Sequence, residues 1–145
     1  KLAADVTLDF QIESPINKVW EALTVSKILA KWIWDNDFKP IVGYQFQFHA
    51  EPDEWWNGVV DGKVLEVDKP NKLSYTWASQ GEITTITWTL MENSPFTHLH
   101  FEQSNFSEKS KAFPGALEGA RNSWEEFGIK LKKLLENRNK NNESV

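Results

Sequence analysis

A chain of 145 residues, 40% hydrophobic and 26% charged, has the size and composition of one globular domain around one core, and its lack of cysteine excludes disulfides, thiolate metal sites and cysteine nucleophiles. Sixteen Lys and Arg against 21 Asp and Glu leave a net charge of -5, the wrong sign for a nucleic-acid partner. No apolar run approaches the ~18 residues of a membrane span and the first residues lack the pattern of a signal peptide, so a cytoplasmic location is expected.

The first alternation runs from Val6 to Ile12, with Val6, Leu8, Phe10 and Ile12 apolar and Thr7, Asp9 and Gln11 polar, the period of a strand with one buried face. Ser14-Pro15 reads as an N-cap followed by proline at the first helical position, and Ile16, Val19, Trp20 and Leu23 form the stripe of a short helix. Ser26 reads as the cap of a second, from Lys27 to about Trp32. From Ile41 to about Asn105 the pattern is a meander of five strands. Tyr44, Phe46 and Phe48 alternate with polar residues, as do Leu73, Tyr75 and Trp77, then Ile86, Trp88 and Leu90; Asn57-Gly58, Pro70-Asn71, Gln80-Gly81 and Asn93-Ser94-Pro95 supply the turns. Between Val59 and Val67 both faces carry apolar groups and Gly62 is a candidate bulge, so the register there stays open. Pro114-Gly115 introduces the longest helix, expected to reach Glu136, with Leu117, Ala120, Trp124, Phe127, Leu131 and Leu134 on one stripe, acidic residues toward its start and basic ones toward its end. Residues 1–136 are expected to form a single domain and 137–145 a frayed tail.

This order describes an α+β helix-grip arrangement, a curved antiparallel sheet of about six strands around the C-terminal helix, with two short helices after the first strand. On Val19-Trp20, Ala22-Leu23-Thr24, Trp32, Val42-Gly43, Gly62 to Pro70, Leu73 to Trp77, Ile86-Thr87-Trp88 and Thr97-His98-Leu99, taken in their order and spacing, the chain resembles the Hsp90-ATPase-activator-homologue branch of the START-like, or Bet v 1-like (SRPBCC), superfamily over nearly its whole length. One position departs: Ser123 precedes Trp124 where this family commonly has Gly. The superfamily includes lipid and sterol carriers, plant hormone receptors, polyketide cyclases and a co-chaperone domain, so fold does not settle function. The resemblance implies a bacterial stand-alone member, without the additional N-terminal domain of the eukaryotic co-chaperones, that binds an apolar small molecule as carrier or sensor. A protein-interaction module of co-chaperone type and a cyclase-like enzyme are the two alternatives. No cofactor is implied, and the expected state is a monomer or weak dimer.

Eight Trp and nine Phe against two Tyr are a surplus of rings without phenolic hydroxyls, as though something apolar is surrounded. Alternation and helical period bring Phe46, Phe48, Trp77, Trp88 and Trp124 to facing surfaces, and with Phe101 and Leu117 they are the candidate lining of a ligand cavity; a solid aromatic core is the rival reading. Trp32, Trp34, Trp55 and Trp56 fall in the second short helix and in loops, where rings form a rim or lid. Arg121 flanks the apolar stripe and is the candidate donor at the cavity mouth. The expected ligand is therefore flat or elongated and mostly apolar, with one anionic or hydrogen-bonding end, such as a fatty acid, polyketide or flavonoid-like compound. His98 and His100 share one strand face with Glu102, but no Asp or Glu at a recognisable spacing completes a site, and no metal is expected. Glu51-Pro52-Asp53-Glu54 reads as a solvated turn. With no nucleophile beside a base, no phosphate-cradling loop and no carboxylate pair that can be placed together, no catalytic residue is assigned.

Overall fold

The computed structural model describes residues 3–143, with side chains described through Asn137. The first alternation forms β1 (Val6–Ile12), followed by α1 (Ile16–Thr24), α2 (Ser26–Leu29) and the two-residue β2 (Asp35–Asn36). The meander is β3 (Gln45–His49), β4 (Val59–Asp68), β5 (Lys72–Ser79), β6 (Glu82–Asn93) and β7 (Phe96–Ser104), and α3 (Glu108–Ala112) leads into α4 (Ala116–Glu143). All seven strands make one antiparallel sheet in the order β1-β7-β6-β5-β4-β3-β2. The sheet curls around α4 as a helix grip, with seven strands rather than about six. The extra one, β2, is too short to carry an alternation that could be read.

The inward residues of β1, β3, β6 and β7 follow the two-residue period; Trp77, Trp88 and Phe101 of β5, β6 and β7 meet Trp124 of α4, and Leu131 and Leu135 of the same helix are buried too. Gln80 and Gly81 both take positive φ, 52° and 82°, as a two-residue hairpin matched to strand twist requires. The open register of β4 resolves into a shift between Val64 and Glu66, not at Gly62. Gly62 has a different use: the Phe46 ring lies on it, and a Cβ there would collide with ring atoms, Cε1 at 2.7 Å among them.

Several helix boundaries differ from those expected. Ser14 does not cap α1; the cap position is Pro15, in extended conformation, and the Ser14 hydroxyl is buried without a partner while its carbonyl accepts a 2.7 Å bond from Thr97 Oγ1. Ser26 is the first residue of α2 rather than its cap, because its hydroxyl donates instead to the Asn36 carbonyl at 2.8 Å. The second helix stops at Leu29, and α3, unanticipated, is capped by the Ser107 hydroxyl accepting from the Ser110 N–H. α4 runs from Ala116 to Glu143, and residues 144–145 lie outside the described range. Among the described residues no helix is long and apolar enough to cross a membrane.

β1 is an edge strand, and α4 covers its outer rim. Arg121 Nη1 donates to the Thr7 carbonyl at 2.7 Å, Lys132 Nζ to the Gln11 carbonyl at 2.6 Å, and the Glu13 N–H donates to Glu136 Oε2 at 3.0 Å. Backbone groups that would otherwise offer a template to another strand are thus taken by side chains. The approach is close because Gly128, facing β1, lets the Phe10 ring lie against the helix backbone.

Candidate ligand-binding cleft

The aromatic rings divide into two groups. Trp32, Phe48, Trp88 and Phe101 are completely buried and Phe46 nearly so. Trp88 is the hub, with ring centroids 5.8 Å from Trp32, 4.8 Å from Phe101 and 5.9 Å from Trp124. Their polar atoms are used internally: Trp32 Nε1 donates to the Ala22 carbonyl at 2.9 Å and Trp88 Nε1 to the Tyr75 hydroxyl at 3.0 Å. Burial pushes the Tyr75 phenol well above its ordinary pKa, so it stays neutral. These rings are packed in the core, and Trp32, Phe46, Phe48, Trp88 and Phe101 are not among the residues lining the aromatic cleft described next. Large rings at mutually facing positions fill the space that the curl of the sheet encloses.

The second group stands at one end of the grip. Trp34, Trp56, Trp77, Trp124 and Phe127 converge on a cleft of about 320 Å³, at the small end of the roughly 300–1,000 Å³ usual for ligand sites. Trp34 makes an edge contact with Phe127 at 5.3 Å and tilted contacts with Trp56 at 5.6 Å and Trp77 at 6.1 Å, while Trp77 meets Trp124 at 4.8 Å. Asn36 Nδ2 holds the Trp34 carbonyl at 3.0 Å. Trp56 is set by a turn in which Asp53 Oδ1 accepts from the Trp55 and Trp56 N–H groups at 2.8 and 2.9 Å, and Gly58 closes the loop with φ of 80°. Trp55 points the other way and is 83% exposed.

The remaining walls come from residues that the sequence did not mark as site candidates: Val60, Ser79, Gln80, Glu82, Thr84, Gln103, Phe106, Ala120 and Ser123. Gln103 is the informative one, because it continues the inward period Leu99, Phe101, Gln103 and is 3% exposed. That polar residue in an inward position was a signal available in the sequence. Gln103 Nε2 donates to Thr84 Oγ1 at 2.9 Å, and the Thr84 hydroxyl donates onward to the Trp77 carbonyl at 3.2 Å. The hydroxyl proton is therefore committed, which fixes the amide orientation and leaves Gln103 Oε1 without a partner; Trp56 Nε1 is buried without a partner as well. Glu82, also on the wall, accepts from the Ser107 N–H at 2.9 Å and the Ser110 hydroxyl at 2.7 Å. Hydrogen bonding from Ser107, opposed by burial and reinforced by Ser110, keeps its carboxyl below the usual range and so ionised.

Arg121 and Leu117 are not in this cleft. The cleft-facing positions of α4 are Ala120, Ser123, Trp124 and Phe127, whereas Arg121 lies on the flank beside β1, where its guanidinium is used on Thr7, and Leu117 is half-buried outside the lining. The expected cationic mouth is thus replaced by a wall bearing two amides, three hydroxyls and a carboxylate. A wider groove, about 520 Å³, lies along β3, β4 and β5, where Gln45, Gln47, Asp61, Lys63 and Thr76 mix with Phe46, Ala78 and Ile83.

On the outer face at the other edge of the sheet, His98 and His100 meet a residue that spacing did not reveal. Asp9 pairs with His100 across β1 and β7, and its Oδ1 lies 2.8 Å from His98 Nε2 and 2.7 Å from His100 Nδ1. His100 Nε2 reaches Glu102 Oε2 at 2.9 Å. Burial disfavours the charged form of His100, but the hydrogen bonds and charges of Asp9 and Glu102 outweigh it and hold its pKa above the ordinary 6.5. Asp9 is held below 3.8, first by the His100 hydrogen bond, with burial opposing and His98 adding.

A family model described as Activator of Hsp90 ATPase homolog 1-like protein matches residues 13–136. No curated protein matches the sequence. Among solved structures, the chain is similar to protein MLL2253 from Mesorhizobium loti, with 38% identity and a TM-score of 0.80 over 91% of this chain and 96% of that one. It is also similar to protein BH1534 from Bacillus halodurans, at 27% identity and 0.75 over 92% and 97%. The Aha1 dimer from Colwellia psychrerythraea, at 23% identity and 0.75 over 90% and 94%, shares the fold.

Proposed function

We propose that this chain, which belongs to the activator of Hsp90 ATPase homolog 1-like family, binds a compact, mostly apolar molecule with one neutral hydrogen-bonding end in the Trp-lined cleft, as a carrier or sensor. The observation that carries the reading is the pair of unpartnered polar atoms, Gln103 Oε1 and Trp56 Nε1, on residues that line the same cleft as Trp34, Trp77, Trp124 and Phe127. One is an acceptor and the other a donor, and a buried polar group left unsatisfied costs about 1–3 kcal/mol. A ligand hydroxyl would donate to the first and accept from the second once side-chain movement opens these covered atoms to the cleft. An anionic end is disfavoured, because Glu82 is ionised on the same wall and Arg121 is committed to β1. The volume sets the scale at one or two fused rings rather than a long acyl chain.

The test is a titration with 2-naphthol, naphthalene and 2-naphthoate, followed through the indole N–H signals. The expected result is that 2-naphthol shifts the Trp56 indole signal and binds about tenfold tighter than the other two, the worth of one net hydrogen bond. Gln103→Leu should remove that preference while leaving naphthalene binding intact. Absence of any shift at Trp34, Trp56, Trp77 and Trp124 at millimolar ligand would overturn the reading.

A second reading, docking of a protein partner, is favoured by Trp55 and Ile83, which are 83% and 64% exposed and line one surface groove. Trp55→Ser discriminates, since it should abolish capture of a chaperone partner but leave 2-naphthol binding unchanged.

A further inference from the structure

We propose that Asp9, His98 and His100 form a binding site for a divalent first-row transition ion of the zinc type on the outer face of β1 and β7, separate from the aromatic cleft. The three side chains leave the sheet on the same face because Asp9 stands opposite His100 in the β1–β7 register and His98 is one full strand period from His100. Their candidate ligand atoms, one carboxylate oxygen and two imidazole nitrogens, all lie within 4.8 Å of one another. Two imidazoles and a carboxylate are donors of the kind that zinc and its neighbours take, with water in the remaining positions.

The fit asks for two adjustments, an opening of the Asp9 contacts and a closing to about 3.3 Å of the two imidazole nitrogens, which now lie within 4.8 Å of each other. An ion about 2.0–2.1 Å from each donor in tetrahedral geometry needs donors roughly 3.3 Å apart. The two Asp9 contacts, now 2.8 and 2.7 Å, would have to open by about half an ångström. The side chains have room for it: those of Asp9, His98 and His100 are 54%, 36% and 28% exposed, which also leaves the outward positions of the ion to water.

What distinguishes this group from a casual surface cluster is that both rings are already held by their far nitrogens. His100 Nε2 is bonded to Glu102 Oε2 at 2.9 Å, the carboxylate–histidine arrangement that orients a ligating imidazole and raises its basicity. His98 Nδ1 faces the Gln11 side-chain Nε2 at 3.1 Å; with the other ring nitrogen on an ion, Nδ1 carries the proton and the Gln11 amide turns its oxygen toward it to accept. Each ring thus turns its other nitrogen toward Asp9, and the five residues amount to three ligands with two supports, all on rigid strands. An ion-pair network without metal affinity is the competing account of the same contacts.

The two accounts separate by titrating the full chain with Zn2+ by calorimetry and with Co2+ by visible absorption, at pH 7.5. The proposal expects one equivalent bound with micromolar affinity, and for Co2+ the intense absorption of a four- or five-coordinate ion. His98→Gln, His100→Gln and Asp9→Asn should each weaken binding at least about tenfold, and Glu102→Gln by a smaller factor through the support it removes. His49→Gln, a histidine outside the cluster, should change nothing. Because the substituted side chains are partly exposed, the variants are expected to keep the wild-type circular dichroism spectrum, and Glu102→Gln, which removes no ligand, gives an independent reading if one does not. No binding up to about 1 mM, or affinity that survives the three ligand substitutions, would overturn the site.

Discussion

Two glycines of α4 provide a test of how the helix meets the sheet, because one chemical change should have opposite signs at the two positions. Gly119→Ala adds a methyl group into open space, with nothing within 4 Å of the new Cβ. The expected gain is the ordinary helical preference for Ala over Gly, about 0.5–1 kcal/mol. Gly128→Ala brings the same preference, but its Cβ falls inside van der Waals contact of three atoms of the Phe10 ring, Cε2 at 2.7 Å among them. Either the ring swings away or α4 lifts off β1, and forcing a group into a packed contact costs about 1–3 kcal/mol. Subtracting the propensity gain leaves Gly128→Ala net destabilising by about 1 kcal/mol. The difference between the two variants isolates the packing cost at about 1–3 kcal/mol, since propensity cancels. Urea unfolding followed by far-ultraviolet circular dichroism measures both. Phe10→Ala removes the obstacle, and on that background Gly128→Ala should become stabilising. If Gly128→Ala stabilises the wild type as much as Gly119→Ala does, the close approach of α4 to β1 is wrong.

Trp124→Ala should cost about 3 kcal/mol, the low end of the range for a buried ring, because its contacts with Trp77 and Phe101 are lost while water can enter from the cleft. Denaturant titration would contradict the core assignment if the loss were below about 1 kcal/mol. Glu82, whose folded pKa is depressed below 4.5, contributes stability that is present above pH 4.5 and is lost as pH falls through its folded value. Thermal melts of wild type and Glu82→Gln should therefore differ at pH 7 and converge toward pH 3; a gap that does not change with pH would rule out this titration.

The sheet was legible because its strands alternate cleanly, and the long helix because Trp124, Phe127 and Leu131 repeat at helical spacing. What could not be read depended on pairing across the chain. β2 is two residues long, α3 rests on Ser107 and Glu82 from separate elements, and the β4 irregularity has no residue marking it. The site was half visible. Trp34, Trp56, Trp77 and Trp124 do line one cleft, but period alone could not separate rings that enclose space from rings that fill it. Arg121 was assigned by its distance along the helix from Trp124; one residue of helical phase, about 100°, carries it from the mouth of the grip to the flank of β1. Asp9 was invisible as a partner of His98 and His100 because 89 and 91 residues separate them, and only the β1–β7 register joins them.

The way α4 covers the rim of β1 has a consequence for the nascent chain. Arg121 follows Thr7 by 114 residues and Lys132 follows Gln11 by 121, so among the described elements the strand translated first is completed by the helix translated last. At roughly 5–20 residues per second, on the order of 5–20 s pass between the emergence of β1 and that of the groups that finish it. During that interval the meander from β3 to β7 can assemble through short-range hairpins and β1 can pair with β7, but the outer edge of β1 stays unsatisfied. The ribosome therefore delivers a sheet whose rim at β1 is still open, and closing that rim waits on translation of α4 rather than on the intrinsic speed of strand pairing.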